Sequence, residues 1–253
     1  MSRSTQSPRH ELPPSDNNRL LAALPEDEYV RILERTDLLS LQIREVLYRS
    51  GGAIEHVYFP RSGLISTVLV MLDGRAVEVG AVGREGMVGL SAFLGANTCQ
   101  DQVLCQISAE VLQMPLSVFA AEVRRGGQLQ NIIARYTHLV IDTGARLAAC
   151  NCLHSVEERC ARWILMSRDS VVADEFSLTQ EFLALMLGVH RPSVTVAAGA
   201  LQNAGLISYR HGRMTVLDRE RLEEASCECY RAIKDDYNRV FPDPKGRNSS
   251  ARD

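Results

Sequence analysis

The chain has 253 residues, 45% hydrophobic and 23% charged, with a formal net charge of −3. That apolar fraction is typical of globular proteins and excludes a mainly disordered or collagen-like chain, while the length suggests about two domains. No stretch approaches the ~20 apolar residues of a membrane helix, and the N-terminus lacks a hydrophobic signal core, so a cytoplasmic protein without membrane contact is expected. Residues 1–17, polar and proline-punctuated, read as a disordered tail. Asn18 to Leu39 reads as helical, because Leu20, Leu21, Leu24, Tyr29, Val30 and Leu33 recur at helix spacing. Pro25, followed by Glu26 and Asp27, opens a second short helix there.

Between Val46 and Met114 the pattern changes to short β-rich runs: Val57 to Phe59, Leu64 to Leu72, Ala76 to Val82 and Val103 to Ile107. Asp73-Gly74 between two of them is a hairpin signal with positive φ expected at both turn positions. Many short strands at near-regular spacing predict a small β-barrel or roll. A long helix follows. Leu129, Ile133, Tyr136, Val140, Thr143, Leu147 and Cys150 are spaced 4-3-4-3-4-3, a heptad seam that predicts a two-helix dimer interface. Ile132, Leu139 and Ala145 lie beside it, placed to pack on the roll. An amphipathic helix packed within its own domain is the alternative. Ser155-Val-Glu-Glu158 has the capping-box form and opens a new helix through Trp163 and Met166, making Cys152 to Ser155 a candidate hinge.

Ser177 to Leu217 carries the most specific pattern. A helix capped near Thr179 presents Leu183, Ala184 and Leu187 on one face and stops at Gly188. Val189 is buried in the turn, and a second helix starts at Arg191-Pro192 with Val194, Ala197 and Leu201 facing back. Small Ala184 lets two helices cross closely, which is the requirement of a helix-turn-helix. Leu206 to Tyr209 and Met214 to Leu217 read as a β-hairpin wing with Arg210, His211 and Arg213 at its tip. His190, Arg191, Ser193 and Thr195 occupy the first turns of the second helix, where side chains reach base edges in a DNA major groove. Arg191 suits bidentate contact with guanine. Thr179 and Gln180 suit phosphate at a helix N-terminus. Asp218 to about Phe241 reads as one more amphipathic helix, with Leu222, Ala225, Cys229, Ile233 and Tyr237 on one side.

The net charge conceals this region. The 36 residues from Phe182 to Leu217 contain no Asp or Glu but hold Arg191, Arg210, Arg213, His190 and His211, leaving the remainder at −6. The cysteines at 99, 105, 150, 152, 160, 227 and 229 are an odd number in an expected cytoplasmic chain and read as reduced thiols. Within Cys150-x-Cys152 and Cys227-x-Cys229, helical i and i+2 positions diverge, so neither pair predicts a metal site, and no cofactor is expected. No nucleophile elbow, phosphate-binding glycine loop or zinc-protease motif occurs, and the six histidines are scattered; no enzyme is expected.

The order of roll, seam helix and winged helix-turn-helix resembles the Crp/Fnr family of bacterial transcription regulators over roughly residues 19 to 217. Leu178-Thr-Gln-Glu-Phe-Leu-Ala-Leu-Met-Leu-Gly-Val-His-Arg-Pro-Ser-Val-Thr195 and Leu201-Gln-Asn-Ala-Gly-Leu-Ile207 carry the resemblance most specifically, and Val82-Gly-Arg-Glu-Gly-Met-Val-Gly89 looks like the family's phosphate-binding cassette. The resemblance implies an α+β chain: a disordered tail (1–17), a cyclic-nucleotide-binding-like β-roll with N-terminal helices (18–127), a dimerisation helix (128–153), a winged helix-turn-helix with a C-terminal helix (154–241) and a second tail (242–253). It implies a homodimer on a two-fold symmetric double-stranded DNA site, RNA polymerase as partner, and an unidentified small-molecule effector. The cassette departs from the cyclic-nucleotide-responsive pattern. Arg84, Glu85, Gly86 and Gly89 remain, but Leu90 stands where a ribose-binding glutamate is expected, and Gln100-Asp101 near the Arg-Ser pair. A buried phosphate without a cation is costly, so cyclic AMP dependence is not expected. The N-terminal cysteine cluster of the family's iron–sulfur members has no counterpart before Cys99, and Pro192 replaces the recognition-helix glutamate of its cyclic-AMP-dependent members, which implies a different operator. A ligand or redox sensor acting through protein contacts, with the winged helix as an interaction module, is the alternative reading.

Overall fold

The computed structural model describes residues 18–171 and 173–242. The tails expected at 1–17 and 242–253 lie outside these residues, apart from Pro242. Two short helices come first, α1 (Arg19–Ala22) and α2 (Glu26–Leu33). Asn18 caps α1 by accepting a hydrogen bond from Leu21 N, and its amide donates to the carbonyls of Pro60 and Gly86, stitching the entry to the roll. Helix ends at Leu33, earlier than the expected Leu39, because the next apolar residues form the edge strand β1 (Asp37–Leu41).

The roll continues through β2 (Val46–Tyr48), β3 (His56–Pro60), β4 (Leu64–Val70), β5 (Ala76–Val82), α3 (Leu90–Phe93), β6 (Gln102–Ile107), β7 (Ala109–Pro115) and α4 (Leu116–Arg124). Its strands form two antiparallel sheets, ordered β1-β7-β3 and β2-β6-β4-β5. The β4–β5 hairpin falls at Asp73-Gly74 as expected. Its loop holds three residues between paired Met71 and Arg75, so only Gly74 takes positive φ (+83°).

Alternation of side chains sorts three cores. Tyr58, Ile65, Cys105 and Val111 point between the sheets. Val57, Phe59, Leu112 and Met114 point outward under α1, α4 and the long helix α5 (Gln128–Leu153). Leu64, Val68 and Ile107 point out of the other sheet into the C-terminal half of the chain.

That half opens with α6 (Val156–Val171), started by the expected capping box: Ser155 N donates to Glu158 Oε2 at 2.8 Å and Glu158 N to Ser155 Oγ at 3.3 Å. It continues with β8 (Glu175–Ser177), α7 (Gln180–Leu187), α8 (Arg191–Asn203), β9 (Ile207–Arg210) and β10 (Arg213–Val216). The C-terminal helix is two helices, α9 (Arg219–Ala225) and α10 (Cys229–Val240), broken where the extended Ser226 ends α9. Among the described residues no single helix is long and apolar enough to cross a membrane.

Candidate nucleic-acid interface

Helix α7 starts at a polar cap, with Thr179 Oγ1 accepting from Phe182 N at 3.2 Å. It stops at Gly188, whose φ of +64° is strained for any residue with a side chain. The chain turns there, and Val189 N bonds back to Ala184 O. His190 then precedes α8, with Ser193 N donating to its carbonyl at 2.9 Å. Pro192 is accommodated because first-turn amides need no partner within the helix. Leu183, Ala184 and Leu187 of α7 and Val194, Ala197 and Leu201 of α8 are buried together, which leaves the opposite face of α8 to solvent.

On that face Gln180 Oε1 accepts from both Arg191 Nε and Thr195 Oγ1, each at 3.3 Å. The start of α7 and the first turns of α8 are therefore one polar unit. His190, Arg191 and Thr195 are exposed and Ser193 is half-buried. Val196 is 74% exposed beside them. Sequence reasoning passed over it, although it falls outside the inward stripe of Val194, Ala197 and Leu201.

The wing lies next to this unit. His211 (φ +50°) and Gly212 (φ +74°) make the two-residue turn between β9 and β10. Leu178 N donates to Gly212 O at 2.8 Å, and Tyr209 Oη donates to Leu178 O at 3.2 Å, which pins the wing to the start of α7. Burial and the nearby Glu181 charge push the Tyr209 phenol up to about 12, so it remains a donor. Arg210, His211 and Arg213 are exposed at the tip.

The acid-free stretch of sequence is not acid-free in space. Glu181 Oε1 lies 2.8 Å from Arg191 Nη1, and Glu175, on the unforeseen strand β8, pairs with Arg213. Both pairs are solvent-exposed and contribute little stability.

The seven cassette residues do not converge on one pocket. Gly86 sits against the Tyr136 ring, which a Cβ would overlap, and Gly89 begins α3 with φ +95°. Leu90 packs into the core beneath the helices. Gln100 is exposed, its carbonyl taken by Ser50 Oγ, and Asp101 is half-buried next to it. Arg84 and Glu85 instead line a cavity of about 600 Å³ between the roll, α5, α6 and α10, to which the other five do not contribute. Between the sheets lies a buried cluster in which the Tyr48 and Tyr58 rings are 5.9 Å apart.

Helix α7 and helix α6 dock on the roll's second sheet. Glu78 of β5 is enclosed there: Ser66 Oγ donates to Glu78 Oε2 at 2.6 Å and Trp163 Nε1 to Oε1 at 3.3 Å. Burial pushes its carboxyl up to about 7, against the opposing pull of those two hydrogen bonds and the Arg162 charge.

The long helix and the cysteines have surroundings that the sequence did not indicate. The heptad seam faces the chain's own interior: Leu129, Ile133 and Tyr136 are buried beneath the roll, Val140 packs beside them, Thr143 and Leu147 line the cavity, and Cys150 is buried. The stripe that satisfies a heptad also satisfies packing on a single sheet. Ile132 and Leu139 do pack on the roll, but Ala145 is exposed. Ala134, His138, Ile141, Ala145 and Ala148 are exposed along one side of α5, with charged Arg135 and Asp142 exposed beside them. Neither cysteine pair predicts a metal site by itself, yet the fold combines them: Cys150, Cys227 and Cys229 meet His154, with ligand atoms within 4.8 Å of one another.

A β-roll sensor-like domain, a long connecting helix and a winged helix-turn-helix define a two-domain DNA-binding regulator. Residues 38–125 match the cyclic nucleotide-binding domain and residues 158–225 the Crp-like helix-turn-helix domain. The chain belongs to the Crp/Fnr family of transcription regulators. Its fold is similar to that of FixK2 from Bradyrhizobium japonicum (TM-score 0.65, 17% identity, 76% of this chain and 98% of that one). It is also similar to a CRP-family transcriptional regulator from Thermus thermophilus (0.63, 20%, 74% and 96%) and to the c-di-GMP-responsive regulator CLP from Xanthomonas campestris (0.61, 17%, 76% and 99%). No curated protein sequence matches the chain.

Proposed function

We propose that the chain is a homodimeric, sequence-specific DNA-binding regulator that works without catalysis and without cyclic AMP. The polar unit of Gln180, Arg191 and Thr195 on a Crp-like helix-turn-helix carries this reading. Helix α8 enters the major groove. Arg191 reads guanine, His190, Ser193 and Thr195 address neighbouring base edges, and Val196 meets a thymine methyl. Thr179, Gln180, Arg210, His211 and Arg213 hold phosphates, and the last displaces Glu175 to do so. The roll (18–127) senses, the helix (128–153) connects, and residues 154–241 bind DNA.

Dimerisation uses the outward face of α5 around Ile141, which is 64% exposed. Two-fold pairing places half-sites about 34 Å apart. Exposed Gln100 and Leu90 packed against the core support independence from cyclic AMP. An unidentified small-molecule effector and RNA polymerase are the further partners of this reading, and the cytoplasm its location.

Selection from random duplexes with the purified protein and no added ligand tests the reading. An enriched two-fold palindrome is expected. No enriched motif, together with a captured protein partner, would favour the winged helix as a protein-interaction module.

A further inference from the structure

Four potential metal ligands converge where the long helix ends. Cys150 lies in the last turn of α5, His154 is its C-cap, and Cys227 and Cys229 flank the start of α10. Cys150 Sγ is 3.5 Å from Cys227 Sγ, and Cys229 Sγ is 3.9 Å from His154 Nδ1. Zinc–sulfur bonds of about 2.3 Å in a tetrahedron put the ligand atoms roughly 3.8 Å apart. These two separations bracket that value, and all four ligand atoms lie within 4.8 Å of one another.

Packing alone does not account for the cluster. Cys150, Cys227 and Cys229 form a buried group of their own, with no aliphatic member. His154 Nε2 is engaged by Glu228 Oε2 at 3.0 Å, which leaves Nδ1 to face the sulfurs. A carboxylate behind the imidazole is the arrangement that orients metal-binding histidines.

We propose that Cys150, His154, Cys227 and Cys229 bind one zinc ion in a closed tetrahedral site. Binding releases the three thiol protons, and a zinc ion with three thiolates and a neutral imidazole carries a single negative charge. Burial holds the Arg159 guanidinium below the usual arginine range, while the charges of Cys150 and Cys227 pull it back up, so Arg159 stands close enough to offset the site's negative charge. Four protein ligands leave no open position, so the ion is structural. Ligand atoms within 4.8 Å of one another enclose a single ion, whereas an iron–sulfur cubane holds its cysteines further apart. The zinc joins the end of α5, the hinge and the start of α10. Arg159 extends the link by donating to Leu187 O, at the turn of the helix-turn-helix.

Elemental analysis of the untagged full-length protein, purified without chelators, tests the site. About one zinc per chain is expected. Cys229→Ser and His154→Ala should each reduce it to background, while Cys152→Ser, at an exposed position on the same helix, should retain it. Metal-stripped wild-type protein titrated with cobalt(II) should show the intense visible bands of a tetrahedral ion and a thiolate charge-transfer band. Circular dichroism of each variant separates loss of metal from loss of fold. Four results would overturn the proposal: no stoichiometric zinc in wild type, zinc retained in both ligand variants, an octahedral cobalt spectrum, or iron–sulfur absorption. A Cys150–Cys227 disulfide in the isolated protein would overturn it as well.

Discussion

Burial of Glu78 where the DNA-binding half docks on the roll predicts that stability depends on pH. Its carboxyl moves from 4.5 to about 7 on burial between Ser66 and Trp163, which corresponds to about 3 kcal/mol at about 1.4 kcal/mol per tenfold change. Glu78 keeps some accessible surface, so that figure is a ceiling. A buried acid with a raised pKa binds its proton more tightly folded than unfolded. Its contribution therefore falls as pH rises from about 4.5 to about 7 and is level above that. Glu78→Gln keeps the hydrogen-bonding shape and removes the titration. Trp163 is the chain's single tryptophan and touches Glu78, so its fluorescence reports the contact directly. Denaturant unfolding followed by Trp163 at pH 5 and pH 8 should show wild type losing up to about 3 kcal/mol relative to Glu78→Gln across that interval. Parallel profiles for the two proteins would refute the buried-acid reasoning.

Four further outcomes are expected. Glu181→Gln frees Arg191 from an exposed ion pair and should tighten DNA binding by about 0.2–1 kcal/mol in a fluorescence-anisotropy titration, whereas Arg213→Ala should weaken all sequences alike and flatten the salt slope by about one. Ile141→Asp places a charge on the outward face of α5 and should weaken the dimer by about 2 kcal/mol or more, visible as monomer in sedimentation velocity. Calorimetry should detect no micromolar binding of cyclic AMP, because Leu90 and Gln100 offer neither the carboxylate nor the cation it requires.

Local chemistry made the helix-turn-helix legible in sequence. The Thr179 cap, the Gly188 stop and Pro192 in a first turn each act within a few residues, and the structure has them in those roles. The β4–β5 hairpin was legible for the same reason, although its loop length was not. Orientation was harder to read. The stripe from Leu129 to Cys150 is equally compatible with a second helix and with the chain's own sheet, and only the fold decides between them. Long-range convergence was not legible at all. Cys150 and Cys227 are 77 positions apart, and Glu175 reaches Arg213 across a strand pair that the sequence did not announce. The acid-free window was real as sequence but incomplete as electrostatics, since Glu181 stands one residue outside it.

On this reading the exposed face of α8 reads bases. The most direct test is the base-by-base specificity profile of wild type and Arg191→Ala, measured on the same selected site. The account predicts loss of about 1–3 kcal/mol and of sequence preference at one position in each half-site, with the other positions retained. An unchanged profile in Arg191→Ala would contradict it.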